Sequence, residues 1–438
     1  FLTIEFKLNR MKIVIIGAGC SGLSAIKQLA AAGLTDITCF EKTDQLGGNW
    51  AYTEKPGYSS LYQATRTISS KAMSQFSDFP MPADYPDYPS HEQILGYFQA
   101  YARYFGLEKF IRFNLGVTQA DKTFDDRWKL TLSNGTEQIY DYLVVANGHL
   151  TVPRHPDWKD QFLGTYLHVR DYKTNRGFEN KRVLVVGAGN SGCDCAVDIS
   201  RVAAQVDLSL RSPQYIIPKY IMENPTDTFA SGFDWLPQWL QDGIQKMILR
   251  SQIGRYQDYQ LPEPTFPPRQ AHPTLNSELL PCMREGKIKP RKAIDRIVDQ
   301  TVYFSDGSAA QYDIILAATG YQIAFPFFPK GLIDWETSLS IPLYLRMFDP
   351  QHANLCFIGL LQPQGCLWKL TEVQAKLLSL LLTQQIQLPE NWRSLALTEG
   401  SDWSKQFLTR PRHSLEVHYP AYLKQLQRII TGKILHDQ

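Results

Sequence analysis

Nowhere does this chain hold the run of about 18 apolar residues that a bilayer-crossing helix needs; residues 377–382 are too few and are broken by Ser379. An excess of one charge is missing as well. Lys and Arg number 45 against 43 Asp and Glu, a net charge of +2, so neither a nucleic acid nor an anionic membrane has an electrostatic claim as principal partner. Cysteine is scarce: Cys20, Cys39, Cys193, Cys195, Cys282, Cys356 and Cys366 are odd in number and scattered. That excludes a secreted disulfide framework and points to a reducing, cytoplasmic setting. Residues 1–10 lack the apolar core of a signal peptide, and Met11 is the expected natural start. No metal ion is expected. With 44% apolar and 20% charged residues in 438, the chain has the material for two or three globular domains.

What is present is organised around residues 12–41, KIVIIGAGCSGLSAIKQLAAAGLTDITCFE. The run from Ile13 to Ile16 is β-branched and short, as suits a buried parallel strand. Gly17, Gly19 and Gly22 follow at once. Between a strand and a helix the first glycine makes the tight turn, the second lets a pyrophosphate approach the backbone, and the third lets the helix pack close to the strand. The diphosphate then rests on the free N–H groups of the helix N-terminus. Residues 24–32 read as that helix and 36–40 as a second strand, with Glu41 at its tip where an acid holds a ribose hydroxyl pair. Gly47 and Gly48 allow a second close backbone approach. Trp50 offers a flat face that suits a flavin ring or ordinary core equally.

The chain then repeats itself. A hairpin at 128–140 turns at Ser133-Asn134-Gly135 and feeds an apolar strand, 141–149, that stops near a glycine; residues 301–321 do the same through Ser305-Asp306-Gly307. At a larger scale, the apolar strand 182–186 leads into Gly187, Gly189 and Gly192. Arg211 follows Gly187 at the interval at which Glu41 follows Gly17. An acid at that tip takes free ribose hydroxyls, whereas an arginine accommodates a 2′-phosphate. The first site is therefore expected to take FAD or NAD and the second NADP(H). Further helices are expected at 90–105, with Ser90 as N-cap, at 239–250 and at 371–383. Residues 214–281 shift to Pro, Trp and Tyr and read as an insertion. It could cover the active site or form a subunit contact, so a homodimer stays open.

Two dinucleotide sites of different preference describe a flavin that takes hydride from NADPH and passes electrons on; the acceptor has to be argued separately. Cys193 and Cys195 stand CxC on the helix after Gly192, which points them to different faces. They read as packing residues rather than a redox dithiol. A quinone or ferredoxin reductase has no motif in its favour.

The segment FLGTYLHVRDY, 162–172, fits FxGxxxHxxx(Y/F) just before the second glycine cluster, and in this the chain resembles the class B flavin-containing monooxygenases. LGGNW at 46–50, SKAMSQFSDFPMP at 70–82, HPTLN at 272–276, ATGY at 318–321, FPFF at 325–328, GLLQPQG at 359–365 and TEVQAK at 371–376 support the resemblance and keep the family's order. The related Baeyer–Villiger enzymes usually close the signature with Trp, where this chain has Tyr172. The resemblance implies that NADPH reduces FAD, that O2 adds at flavin C4a, and that the hydroperoxide passes its distal oxygen to a soft nitrogen or sulfur of a small molecule. It implies FAD on Gly17, Gly19, Ser21, Gly22, Glu41, Lys42, Gly48 and Trp50, with Gln374 from the C-terminal part. NADP(H) falls to Gly187, Gly189, Asn190, Ser191, Gly192 and Arg211, and His168 to the hinge between domains.

One position departs from the family. Where many members place an Asn against the oxygenated flavin, this chain has Ile68, which donates no hydrogen bond. Ser69 or another group would have to substitute, or hydrogen peroxide would leak; Ile68 and Ser69 are thus the positions to watch for catalysis. The expected fold is α/β with two Rossmann-like dinucleotide-binding domains, the NADPH domain inserted into the FAD domain. The expected parts are 11–153 for FAD, 154–312 for NADPH with the insertion at about 214–281, and 313–438 for the second FAD part. Ketone oxygenation and bare NADPH oxidation remain the alternatives.

Overall fold

The computed structural model describes residues 11–233, 235–333, 335, 338–408 and 413–432. In chain order its principal elements are β1 (Ile13–Ile16), α1 (Cys20–Ala31), β2 (Ile37–Phe40), α2 (His91–Tyr104), β3 (Ile111–Arg112) and β4 (Tyr142–Val145). Next come β5 (Thr165–His168), β6 (Arg182–Val186), α3 (Asn190–Ile199), β7 (Gln205–Ser209), α4 (Gln238–Ile253), β8 (Ile288–Arg291) and β9 (Ile314–Ala317). The chain closes with β10 (Leu355–Phe357), α5 (Leu367–Leu382) and α6 (Tyr419–Ile430).

These strands build two five-stranded sheets, ordered β10-β4-β1-β2-β3 and β8-β7-β6-β9-β5, and every pairing within them is parallel. Parallel strands are covered on both faces, which is why β1 is apolar at every position. Ile13 and Ile15 face a core shared with Leu23 and Leu377, while Val14 and Ile16 face Trp128 and Phe357 on the other side. Ile15 is fully buried, and cutting it to alanine would cost about 2–5 kcal/mol. In the second sheet Val183 and Val185 face one core and Leu184 the other. Cys193 and Cys195 are fully buried in the first of these, as packing residues are.

Helix α2 starts where Ser90 caps it, with the Ser90 and Gln93 side chains satisfying each other's backbone N–H groups. Helix α5 begins earlier than its periodicity indicates, because the Cys366 side chain accepts the Trp368 N–H and caps it. The two hairpin turns are chemically alike. Asn134 Oδ1 accepts the Thr136 N–H and Asp306 Oδ1 the Ser308 N–H, each beside a glycine with φ near +82° (Gly135) or +83° (Gly307).

One expected boundary moves. Ile314–Ala317 pairs with both β6 and β5, so the second unit extends beyond 312 and the chain crosses back only afterwards. The two crossings run side by side: Val152–Pro153 and Tyr321–Gln322 form an antiparallel ribbon. The inserted segment is closed at its base by Ile216–Ile217 pairing with Thr274–Leu275.

Candidate functional site

The two glycine turns are built alike. A Cβ on Gly17 would sit 2.8 Å from Ala146 O, and one on Gly187 would sit 2.5 Å from Ala318 O; both residues have φ above +100°. A Cβ on Gly22 or Gly192 would come within 1.9 Å of the carbonyl of Gly17 or Gly187, so only glycine lets helix and strand approach this closely. Helices α1 and α3 start at Gly19 and Gly189, with no side chain capping either. Their first-turn N–H groups are thus left for an anion. A Cβ on Gly189 would meet nothing within 4 Å, so the second turn opens to solvent, whereas Gly19 is faced by Gly48, whose own Cβ would lie 3.0 Å from the Gly19 Cα. The residues present therefore fit two dinucleotides.

The strand tips differ as their charges do. Glu41 is buried; its Oε2 accepts the Ala18 N–H at 2.9 Å and its Oε1 accepts the Thr43 N–H and hydroxyl at 3.0 and 2.9 Å. Oε1 is thus filled by Thr43, while Oε2 keeps a further lone pair for a ribose hydroxyl. Arg211 is exposed just beyond β7 and, like the Ser191 hydroxyl, makes no hydrogen bond or ion pair among the described residues. Lys42 is exposed, with its Nζ 5.6 Å from the Tyr58 ring centre. Trp50 is half-buried and meets Trp368 edge-on at 5.7 Å, at the end of an aromatic row that continues to Phe98.

Two of the expected cofactor side chains are spent on the protein itself. Gln374 is fully buried; its Oε1 accepts the Gly359 N–H at 2.9 Å and its Nε2 donates to Tyr422 OH at 2.7 Å. It holds Gly359, where a Cβ would lie 2.1 Å from Ser21 Oγ, and so acts behind the first cradle rather than on its surface. The Asn190 amide is likewise engaged, by Pro273 O and the Leu275 N–H, which leaves its backbone as the part that faces an anion.

Residues 59–70 form a strap between the cradles. Ser60 donates to Asn49 Oδ1 beside Gly48, and Tyr62 OH donates to Asp194 of α3 at 2.8 Å. Lys173 Nζ grips the carbonyls of Ser59 and Leu61 from the second unit. Asp194 in turn accepts from Asn276 Nδ2 at 2.6 Å, and burial pushes its carboxyl above the usual range. Ile68 and Ser69 lie half-buried in this strap. The Ser69 hydroxyl is 2.7 Å from Ser74 Oγ, while Ser74 donates to the Ser69 carbonyl. Either hydroxyl can donate in this pair, so Ser69 shares its hydrogen bonding with Ser74. The insertion lies over the strap: the Ser70 N–H donates to Asp227 Oδ2 at 2.6 Å, and Tyr88 OH donates to Lys219 O at 2.5 Å. Asp227, Tyr62 and Asp194 carry no spacing signal, while Asn276 belongs to the HPTLN run without announcing its partner.

His168 sits at the ribbon between the units. Its Nδ1 accepts the Arg170 N–H at 3.1 Å, so the proton is on Nε2, which donates to Gly320 O at 3.2 Å. Burial, with His155 nearby, pushes its pKa down to about 4. A neutral ring bonded at both nitrogens fits a hinge and offers no proton.

The profile of the flavin-binding monooxygenase-like family matches residues 10–435. Flavin-containing monooxygenase 2 of Homo sapiens is 34% identical over 448 aligned residues, covering 96% of this chain and 83% of the human protein. Flavin-containing monooxygenase 5 of Rattus norvegicus is 31% identical over 446, covering 97% and 83%. S-allyl-L-cysteine S-oxygenase from Allium sativum superposes with a TM-score of 0.72 at 22% identity, over 97% of this chain and 90% of that one. Cyclohexanone monooxygenase from Rhodococcus sp. Phi1, bound to NADP+, superposes with a TM-score of 0.73 at 17% identity, over 96% and 97%. At these identities the two structures speak for the fold, a pair of Rossmann-like domains. Among the described residues no helix is long and apolar enough to cross a membrane.

Proposed function

This chain belongs to the flavin-binding monooxygenase-like family, and from that membership we propose that it uses FAD, NADPH and O2 to oxygenate a soft nitrogen or sulfur of a small molecule. The single observation that carries the reading is the doubled, uncapped glycine turn, ending in a carboxylate at Glu41 and in an exposed guanidinium at Arg211. Bound flavin would supply the redox chemistry, taking hydride from NADPH and delivering one atom of O2. The chain's own residues bind, orient and exclude water. Gly17, Gly19, Gly22 and Gly48 would hold the flavin diphosphate against α1, with Ser21, Lys42 and Trp50 beside it and Gln374 acting through Gly359. Gly187, Gly189, Ser191, Gly192 and the Asn190 backbone would hold NADP(H), with Arg211 on the 2′-phosphate.

The names of two relatives support the acceptor class. Dimethylaniline monooxygenase, N-oxide-forming, of Oryctolagus cuniculus is 34% identical, and the Allium sativum neighbour oxygenates a sulfur. Ketone oxygenation and bare NADPH oxidation are not favoured. Seven free thiols support a reducing, cytoplasmic setting. Ile68 sets efficiency rather than reaction class: its side chain donates no hydrogen bond, and the neighbouring Ser69 hydroxyl is engaged with Ser74. The test is 18O2 turnover of flavin-loaded protein with NADPH and either dimethylaniline or an allyl thioether. Labelled N-oxide or sulfoxide is expected; NADPH consumed entirely to hydrogen peroxide with both acceptors would overturn the reading.

A further inference from the structure

The segment 269–276 touches both halves of the molecule. On one side it closes the second cradle: Thr274 Oγ1 donates to Ala188 O at 2.9 Å, the Leu275 N–H to Asn190 Oδ1 at 2.8 Å, and Asn190 Nδ2 to Pro273 O at 3.3 Å. On the other side it is held by the C-terminal part. Gln364 Nε2 donates to the carbonyls of Arg269 and Ala271 at 2.9 and 3.0 Å, and the Leu408 N–H donates to Gln270 O at 3.0 Å. His272 Nδ1 lies 3.3 Å from Glu416 Oε2. Gln364 belongs to the loop that starts at Gly359, the residue packed on Ser21 of the first cradle. The short strand Glu416–Val417 pairs with Gln362–Pro363 of the same loop.

Glu416 is fully buried. Burial alone would raise its pKa, but the His272 and His413 imidazoles outweigh that and hold it at about 2. Its Oε1 lies 3.7 Å from His413 Nδ1. The other groups around it add little charge. Burial pushes the His149 pKa down to about 4 and also lowers that of His418, and Arg269 is paired with Asp242 at 3.1 Å. A buried carboxylate costs several kcal/mol to desolvate and is weak as a stabiliser; its best-attested use is to fix register. Of its two ion-pair contacts, His413 is three residues away on the same strand approach, whereas His272 belongs to the segment that closes the second cradle.

We propose that Glu416 is a positioning residue for the pyridine nucleotide: by holding His272 it fixes the register of 272–276 against Asn190, and it does so from a strand anchored on the loop of the flavin cradle. The inference rests on the reading that the second cradle takes NADP(H). Breaking the pair frees His272 and loosens the Asn190 clamp, while Gly359, Gln374 and Ser21 keep their contacts. Flavin retention and NADP+ affinity should therefore separate.

The test uses flavin-loaded protein and NADP+ titrated by calorimetry, for wild type, Glu416→Gln, which keeps the shape and removes the charge, and His272→Gln, a milder change at a partly accessible site. Both variants are expected to keep full flavin content and to bind NADP+ about tenfold more weakly, within the usual range of coupling between sites. The double variant should be no weaker than either single one, because both remove the same interaction. Should Glu416→Gln fail to fold, His272→Gln decides. NADP+ affinity within about twofold of wild type in the folded variants, or parallel loss of flavin and NADP+, overturns the role of Glu416. Failure of the wild type itself to bind NADP+ overturns instead the assignment of the second cradle, and the inference with it.

Discussion

The Ser70 backbone N–H donates to Asp227 Oδ2 at 2.6 Å, joining the inserted segment to the strap between the two nucleotide cradles. A hydrogen bond to a charged acceptor contributes about 1.5–3 kcal/mol, less at a half-exposed site. Asp227→Ala should leave flavin content unchanged and let water reach the strap. The amount of hydrogen peroxide released per NADPH is expected to rise about two- to fivefold, in line with a bond worth roughly 1 kcal/mol. An unchanged ratio in a peroxidase-coupled assay would mean that the insertion does not shield the site.

Ile68 makes the opposite change testable. Ile68→Asn places an amide donor in the strap beside Ser69, whose hydroxyl is paired with Ser74. Less peroxide per NADPH is expected, with more oxygenated product and little change in melting temperature. If the product yield falls or stays level, the strap does not set coupling at this position.

Arg211 is expected to choose between the two pyridine nucleotides. Loss of one charge-assisted contact to the 2′-phosphate in Arg211→Ala should lower kcat/KM for NADPH about 10- to 100-fold and leave that for NADH within about twofold. Steady-state oxidation of both nucleotides checks this. Equal losses would place the phosphate elsewhere.

His168 gives the fold an acid-sensitive point. Its folded pKa is pushed down to about 4, chiefly by burial. A histidine in the unfolded chain titrates near 6.5, so between about 4 and 6.5 the native state binds fewer protons than the unfolded one. The neutral ring's contribution is complete above that window and is lost as pH falls through it, because a proton on Nδ1 displaces the Arg170 N–H. Melting temperatures from pH 7.5 to 4.5 should fall less steeply in His168→Asn than in wild type. Parallel curves would remove His168 from the acid response.

Much of the architecture was legible in the sequence because it depends on local chemistry. Gly17 and Gly187 announce the turns, Ser90 the start of α2, and Asn134 and Asp306 the paired hairpins, all through neighbours a few residues away. The unit boundary was not legible in the same way. Residues 311–321 resemble 141–149 as a string, yet Ile314–Ala317 pairs with β6 and β5 whereas Tyr142–Val145 pairs with β1 and β10, and parallel partners leave no mark on a strand's own sequence. Side-chain roles blurred for a related reason. Gln374 and Asn190 stand where a cofactor contact was expected, but their amides are taken by Gly359, Tyr422, Pro273 and Leu275, which are remote or lie off the motif. His272 and Glu416 meet from opposite ends of the second half of the chain, so no spacing rule brings them together.

The ribbon of Val152–Pro153 and Tyr321–Gln322 ties the outgoing and returning chains to one another where they pass between the two sheets. A change at either crossing therefore reaches the other, and His168, bonded to Gly320, joins the end of β5 to the same ribbon.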